Sequence, residues 1–271
     1  MILKELNLTL SLNNVDKFIY SQHYLKIMNK KGQVTLFVII AIIFIGGVAL
    51  FFIFREGIEK KDVFTPEIEN VKSFVEECVR EVGEEAVYFI GVGGGYFFPP
   101  ELATSEGIPY YYIDGGNKMP SKENVEKEIS SYVDRSLISC TKNFEDFKEL
   151  NIEQKTIKTK AKIDNEIITL SIISPISVTK ADTTSIIDNF ENIEIPVRMG
   201  IVYNSIQEIM EEAGKDGICM SCILEIDIKN DLETELWDYD ENTVVFVVTD
   251  ENSNINNETF IWIFANKYEI Q

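Results

Sequence analysis

Twenty-one consecutive residues, Val34 to Phe54, carry one polar side chain, the Thr35 hydroxyl at the edge of the run. At 1.5 Å per residue a helix of that length spans about 31 Å, the thickness of a bilayer's hydrocarbon core. Gly46 and Gly47 are tolerable there, because lipid leaves the backbone no partner except its own helix. A globular helix would need a polar face, and this run has none. It exceeds a secretory h-region, and no A-x-A cleavage site follows it. The run predicts one membrane-spanning helix, with the lipid bilayer as its first partner.

Charge orients that helix. Lys17, Lys26, Lys30 and Lys31 precede it, and Arg55, Lys60, Lys61 and Lys72 follow it. The nearby cations balance, but Lys30 and Lys31 stand undiluted beside the run, whereas Arg55 is followed at once by Glu56 and Glu59. Long domains translocate largely regardless of their charge. Residues 55–271 hold 20 Lys and Arg against 43 Asp and Glu. Such acidity repels phosphates, which argues against nucleic acid as a partner. The expected arrangement is a basic segment at 1–33, a transmembrane helix at 34–54, a linker at 55–64 and an acidic extracytoplasmic domain at 65–271. The chain is then a single-pass protein of the cell membrane. Met28 opens a complete basic head, MNKKGQ, so a natural start there is expected. The lone histidine, His23, lies before it.

Lys31-Gly32-Gln33 followed at once by an apolar run resembles the N-terminus of archaeal type IV pilin-like proteins with class III signal peptides. The resemblance implies processing by a prepilin peptidase between Gly32 and Gln33 and packing of the freed helix in a filament. Phe37 departs from it, because those proteins carry Glu at that place. The order VEEC (Val75 to Cys78), Gly-rich turn, IPYYY and CxxC is similar to single-pass membrane proteins of small-genome archaea. That likeness covers most of residues 28–271 and implies no activity.

Within the domain, Thr65-Pro66-Glu67 reads as an N-cap, a Pro at N1 and a first-turn acid. Ile68, Val71, Val75, Cys78, Val82, Ala86 and Phe89 continue it at helical spacing. Gly91 to Gly95 stop this helix. They are no phosphate loop, since they follow a helix and lack both the sixth-position Gly and a Gly-Lys-Ser/Thr. Ile108 to Ile113 predicts a short aromatic strand ending at Asp114-Gly115-Gly116. With Tyr96, Phe97 and Phe98 it reads as core filling. Ser121 caps a second helix through Val125, Ile129, Val133, Leu137 and Cys140. Glu153 to Lys162, Glu166 to Thr179 and Ser185 to Ile195 read as strands, with an edge or bulge at Pro175. Val197 to Ala213 and Ser221 to Lys229 read as helices. Thr243 to Thr249 and Thr259 to Phe264 read as a hairpin around an Asn-rich loop. The class is α+β, an antiparallel sheet with three to four helices.

The chemistry-bearing residues are few. Cys78 and Cys140 fall on the apolar faces of the first two helices, where they form either a disulfide or two core thiols. Cys219-Met220-Ser221-Cys222 has the spacing of thiol–disulfide oxidoreductases, and a helix beginning near Ser221 would lower a thiol pKa. Yet no βαβ pattern surrounds it, and Asp216 and Glu225 oppose a thiolate. The expected pairing is a Cys78–Cys140 disulfide that staples the first two helices and a separate Cys219–Cys222 bridge, with a redox pair and a four-cysteine zinc site as the alternatives. Asp238-x-Asp240-x-Asn242 and Asp250-x-Asn252-x-Asn254 begin like calcium loops but lack the Gly and Glu that complete one. Without a second histidine, Ser-His-Asp and Cys-His catalysis are closed. No metal or cofactor is expected. Asn257-Glu258-Thr259 is a glycosylation sequon at the hairpin tip. The leading reading is a non-enzymatic surface or envelope protein that binds another protein or assembles. A pilin-like filament subunit and an extracytoplasmic thiol oxidoreductase are the alternatives.

Overall fold

The computed structural model describes residues 38–46, 48, 66–212 and 217–268. Residues 38–46 are helical, with apolar side chains exposed from 50% at Val38 to 74% at Phe44. They belong to a unit running from Met1 to Val63, and the domain forms a second unit from Phe64 to Gln271. Among the described residues no helix is long and apolar enough to cross a membrane. Met28, Gly32, Gln33, the linker 55–64, the cap Thr65 and the ends of the apolar run lie outside the described residues.

Helix α1 (Pro66–Val92) is the axis of the domain. Its 27 residues extend about 40 Å, long enough to serve two separate sheets. The buried stripe from Ile68 to Ile90 faces both. A Cβ at Gly83 would stand 2.7 Å from the side chains of Ile195 and Leu170, so glycine here lets the helix approach the second sheet closely. The helix ends in a Schellman motif: Gly95 N–H donates to Ile90 O at 2.7 Å and Gly94 N–H to Gly91 O at 2.9 Å. Gly94 occupies the left-handed position that closes it, φ 57°. The helix therefore runs through Gly91 and is closed by the glycines after it.

The first sheet has five strands: β1 (Tyr110–Ile113), β2 (Gly116–Asn117), β7 (Glu233–Asp238), β8 (Thr243–Ile255) and β9 (Glu258–Lys267), in the order β2-β1-β9-β8-β7. The second is built on β5 (Ile167–Lys180). β3 (Asn151–Gln154) and β4 (Lys158–Ile163) share one side of it, and β6 (Thr183–Pro196) pairs with the other. The remaining α-helices of the domain are α2 (Lys122–Thr141), α3 (Met199–Glu212) and α4 (Met220–Asn230), and a 3-10 turn at Lys142–Phe144 follows α2. The class is α+β.

Four details differ from the sequence expectation. The single antiparallel sheet is two sheets, and β1 pairs parallel with β9. Glu153 to Lys162 is not one strand, because the chain leaves β5 after Gln154 and rejoins it at Lys158 around a bulge at Pro175, whose carbonyl accepts Lys155 N–H at 3.0 Å. The Asn-rich stretch after Thr249 is not a loop. β8 continues through it to Ile255, and the turn is Asn256-Asn257, both left-handed at φ 52° and 66°. Strand β7 had no counterpart in the reading.

Helix α2 shows why β4 can end its sheet without aggregating. Ser121 caps the helix, accepting Asn124 N–H at 3.3 Å. Glu126, Ser130 and Asp134 then recur every four residues on one face. They accept the backbone N–H groups of Ile163, Ala161 and Thr159 at 2.9, 3.0 and 2.7 Å. The alternate N–H groups of β4 that point away from β5 are thereby satisfied, leaving no open template for another chain. On β6, the other edge of this sheet, Asp188, Glu191 and Glu194 are exposed, and like charges there discourage pairing with a second copy.

Candidate functional site

The four cysteines form two pairs at bonding distance. Cys78 and Cys140 join α1 to α2 with Cα atoms 5.7 Å apart at a sequence separation of 62. Cys78 is 3% exposed in the core, so this pair lies where the two helices touch. Cys219 and Cys222 pair within three residues, Cα atoms 5.3 Å apart. The sulfurs are consumed two by two, which excludes one zinc site made of all four. Among the described residues no group of three or more His, Cys, Asp and Glu could hold a metal ion.

The second pair sits at the N-terminus of α4. Gly217, at φ 93°, turns the chain into it. Cys219 is the N-cap, and its Sγ accepts the backbone N–H of Cys222 at 3.3 Å. Ser221 Oγ lies 3.6 Å from the same sulfur. Both cysteines are half-buried. Below them is a recess of about 10 Å³, room for a single water, lined by Ile209, Ile218, Phe246 and Asn266 among others. Asn266 is fully buried, and its amide donates to Tyr268 Oη at 3.2 Å, but its Oδ1 has no hydrogen-bond partner. Glu212 also lines the recess, and Glu225 is exposed one turn along the helix.

Helix α4 buries Ile223 and Ile226 and leaves a second apolar face in water. Met220, Leu224 and Ile228, four residues apart, are 59%, 61% and 75% exposed. They form a ridge that begins between the two cysteines and follows the helix. The helix beneath is held firmly. Asp227 accepts Thr234 N–H at 2.9 Å and Thr234 Oγ1–H at 2.8 Å, tying α4 to β7. Burial pushes the Asp227 carboxyl above the usual carboxylate range, and the two Thr234 bonds oppose that push. Asn230 Nδ2 donates to Ser205 Oγ at 2.9 Å, and Lys229 pairs with Glu208 at 3.0 Å, both on α3.

The two acidic segments that begin like calcium loops have other work. Asp240 accepts the N–H of Asn242 at 3.0 Å inside the β7–β8 turn. Asp250 is fully buried and pairs with Arg198 at 2.9 Å. Its Oδ2 accepts Ser253 Oγ–H at 2.5 Å, and Arg198 also donates to the carbonyl of Asn230 at the end of α4. The aromatic cluster fills the core as expected at Tyr111. That residue is fully buried, donates to Gly94 O at 2.8 Å and accepts Trp262 Nε1–H at 2.9 Å. Asn257 is exposed at the tip of the β8–β9 hairpin. The residues that sequence reasoning missed are Met220, Leu224 and Ile228. Their spacing was visible, but so was that of Ile223 and Ile226, and periodicity alone does not say which apolar face of a short helix packs.

No protein family matches the chain, and no curated protein and no solved structure matches it with significance.

Proposed function

We propose that the chain is a single-pass membrane protein, anchored through Val34 to Phe54, whose acidic α+β domain stands outside the cytoplasm and holds another polypeptide against α4. The observation that carries this reading is the pairing of all four cysteines of the chain. Glutathione and thioredoxin keep cytosolic thiols reduced, so the bridging of every cysteine supports an oxidising compartment. The undiluted Lys30 and Lys31 support the same orientation.

The ridge supports the second half of the reading. Three large apolar side chains in line on a helix that is otherwise firmly packed form a patch of the kind that marks a contact surface. The partner's chemistry follows from charge. Glu225 stands exposed beside Leu224, Lys229 is engaged by Glu208, and residues 55–271 carry an excess of 23 negative charges by sequence. A neutral or basic segment with apolar side chains fits such a ridge, and an acidic one is repelled.

Thiol trapping tests the location. Cells quenched in acid and alkylated without reductant should yield Cys78 and Cys140 unmodified, and both should become alkylated only after reduction. Native protein with either residue alkylated at once would place the domain in a reducing compartment and end the proposal.

A further inference from the structure

We propose that Cys219–Cys222 is an exchangeable disulfide that accepts two electrons from a dithiol in the polypeptide held on the α4 ridge. The inference rests on the ridge reading above for its substrate and on separate observations for its chemistry.

The bridge does little for the fold. A disulfide stabilises chiefly by closing a long loop in the unfolded chain, and this one spans three residues. It lies where a thiolate is favoured. Cys219 caps an 11-residue helix, and its sulfur already accepts a backbone N–H from the first turn. That N–H and the partial positive charge of the helix terminus stabilise an anion on Cys219. Glu212 and Glu225 oppose this, but the N–H touches the sulfur directly. The site is also prepared for the reduced state. Asn266 Oδ1, buried in the recess that Cys222 lines, lacks a donor. Reduction gives Cys222, on the wall of the same recess, an S–H that can donate. Finally, Met220 lies inside the motif, so a chain docked on Met220, Leu224 and Ile228 passes the sulfurs.

The exchange runs in two displacements. A substrate thiol loses its proton to solvent, and the thiolate attacks Cys219 Sγ. A bond forms between the substrate sulfur and Sγ, the Cys219–Cys222 bond breaks, and Cys222 leaves as a thiolate that takes up a proton. The second substrate thiolate then attacks the first substrate sulfur. The mixed disulfide breaks, the substrate disulfide forms, and Cys219 departs as the thiolate held by the Cys222 N–H. Two electrons pass from substrate dithiol to protein disulfide; of the two protons the substrate releases, one is taken up by Cys222 and the other goes to solvent while Cys219 remains a thiolate.

The test uses the full chain in detergent micelles and a basic peptide with two cysteines and apolar neighbours. In graded glutathione buffers, Cys219–Cys222 should reach half reduction while Cys78–Cys140 remains oxidised. Offered the peptide in its disulfide form, Cys222→Ser should trap a mixed disulfide, because its Cys219 thiolate displaces one peptide sulfur and no Cys222 follows to resolve the bond, and Cys219→Ser should form one through Cys222 at least about tenfold more slowly. A bridge that stays oxidised until the domain unfolds, or a Cys222→Ser protein that traps nothing, overturns the proposal. Leu224→Glu with Ile228→Glu separates the two claims. It should slow peptide oxidation and leave reduction by dithiothreitol unchanged. An unchanged peptide rate would remove the ridge as the docking surface while exchange at the disulfide stood.

Discussion

Removing the Cys78–Cys140 bridge lowers the melting temperature of the domain by about 8–16 °C. The chain-entropy relation assigns about 4 kcal/mol to a loop of this length. In a domain of this size each kcal/mol corresponds to about 2–4 °C. The Cys78→Ala/Cys140→Ala variant, followed by calorimetry, should show that loss. Cys219→Ser/Cys222→Ser should stay within about 2 °C of the parent, because its loop is too short for the same effect. The reverse order of the two variants would mean that α1 and α2 are held together by packing alone and that α4 depends on its own bridge.

Asp250→Ala is expected to cost about 3–5 kcal/mol, read as a shift in the denaturation midpoint at constant slope. The Asp250 side chain is inaccessible to solvent and that of Arg198 is 18% exposed. Removing the carboxylate strands a guanidinium in the interior. Arg198 precedes α3, donates its backbone N–H to Ser253 Oγ at 2.9 Å and reaches the last carbonyl of α4, so the loss spreads to α3, α4 and β8 together. A cation at the start of α3 also opposes the helix dipole, which Asp250 offsets. Asp250→Asn keeps the shape and part of the hydrogen bonding and should cost less. Replacing both partners with apolar residues should recover much of the loss, because no unpaired charge then remains. Equal stability of parent and Asp250→Ala would show that water reaches Arg198 and that the pair contributes nothing.

The legible parts of the fold were those set by local chemistry. Ser121 announced α2, Pro66 the start of α1, and Asp164-Asn165 the turn between β4 and β5. Cys78 and Cys140 could be placed together because each lay in phase with an apolar stripe. The parallel pairing of β1 with β9 escaped notice because the two strands are far apart in sequence and no local signal links them. Strand β7 escaped because Glu233, Glu235 and Asp238 make it read as polar, which is how an edge strand is kept from pairing further. Asp250 and Asn254 were read as loop residues. In the fold one is buried against Arg198 and the other is paired in the ladder at Thr259, so tertiary partners overrode turn propensity. The ladder of Glu126, Ser130 and Asp134 looked like the solvent face of α2, and only the position of β4 gives those side chains a purpose.

The central claim is that the acidic domain stands outside the cytoplasm while the basic head stays within. Labelling intact cells with a membrane-impermeant amine reagent, followed by peptide mapping, tests it most directly. Lys158 and Lys160 are exposed on β4. They should be labelled in intact cells, while Lys30 and Lys31 should be labelled only after permeabilisation. Label on Lys30 and Lys31 with Lys158 and Lys160 protected until the membrane is opened would contradict it.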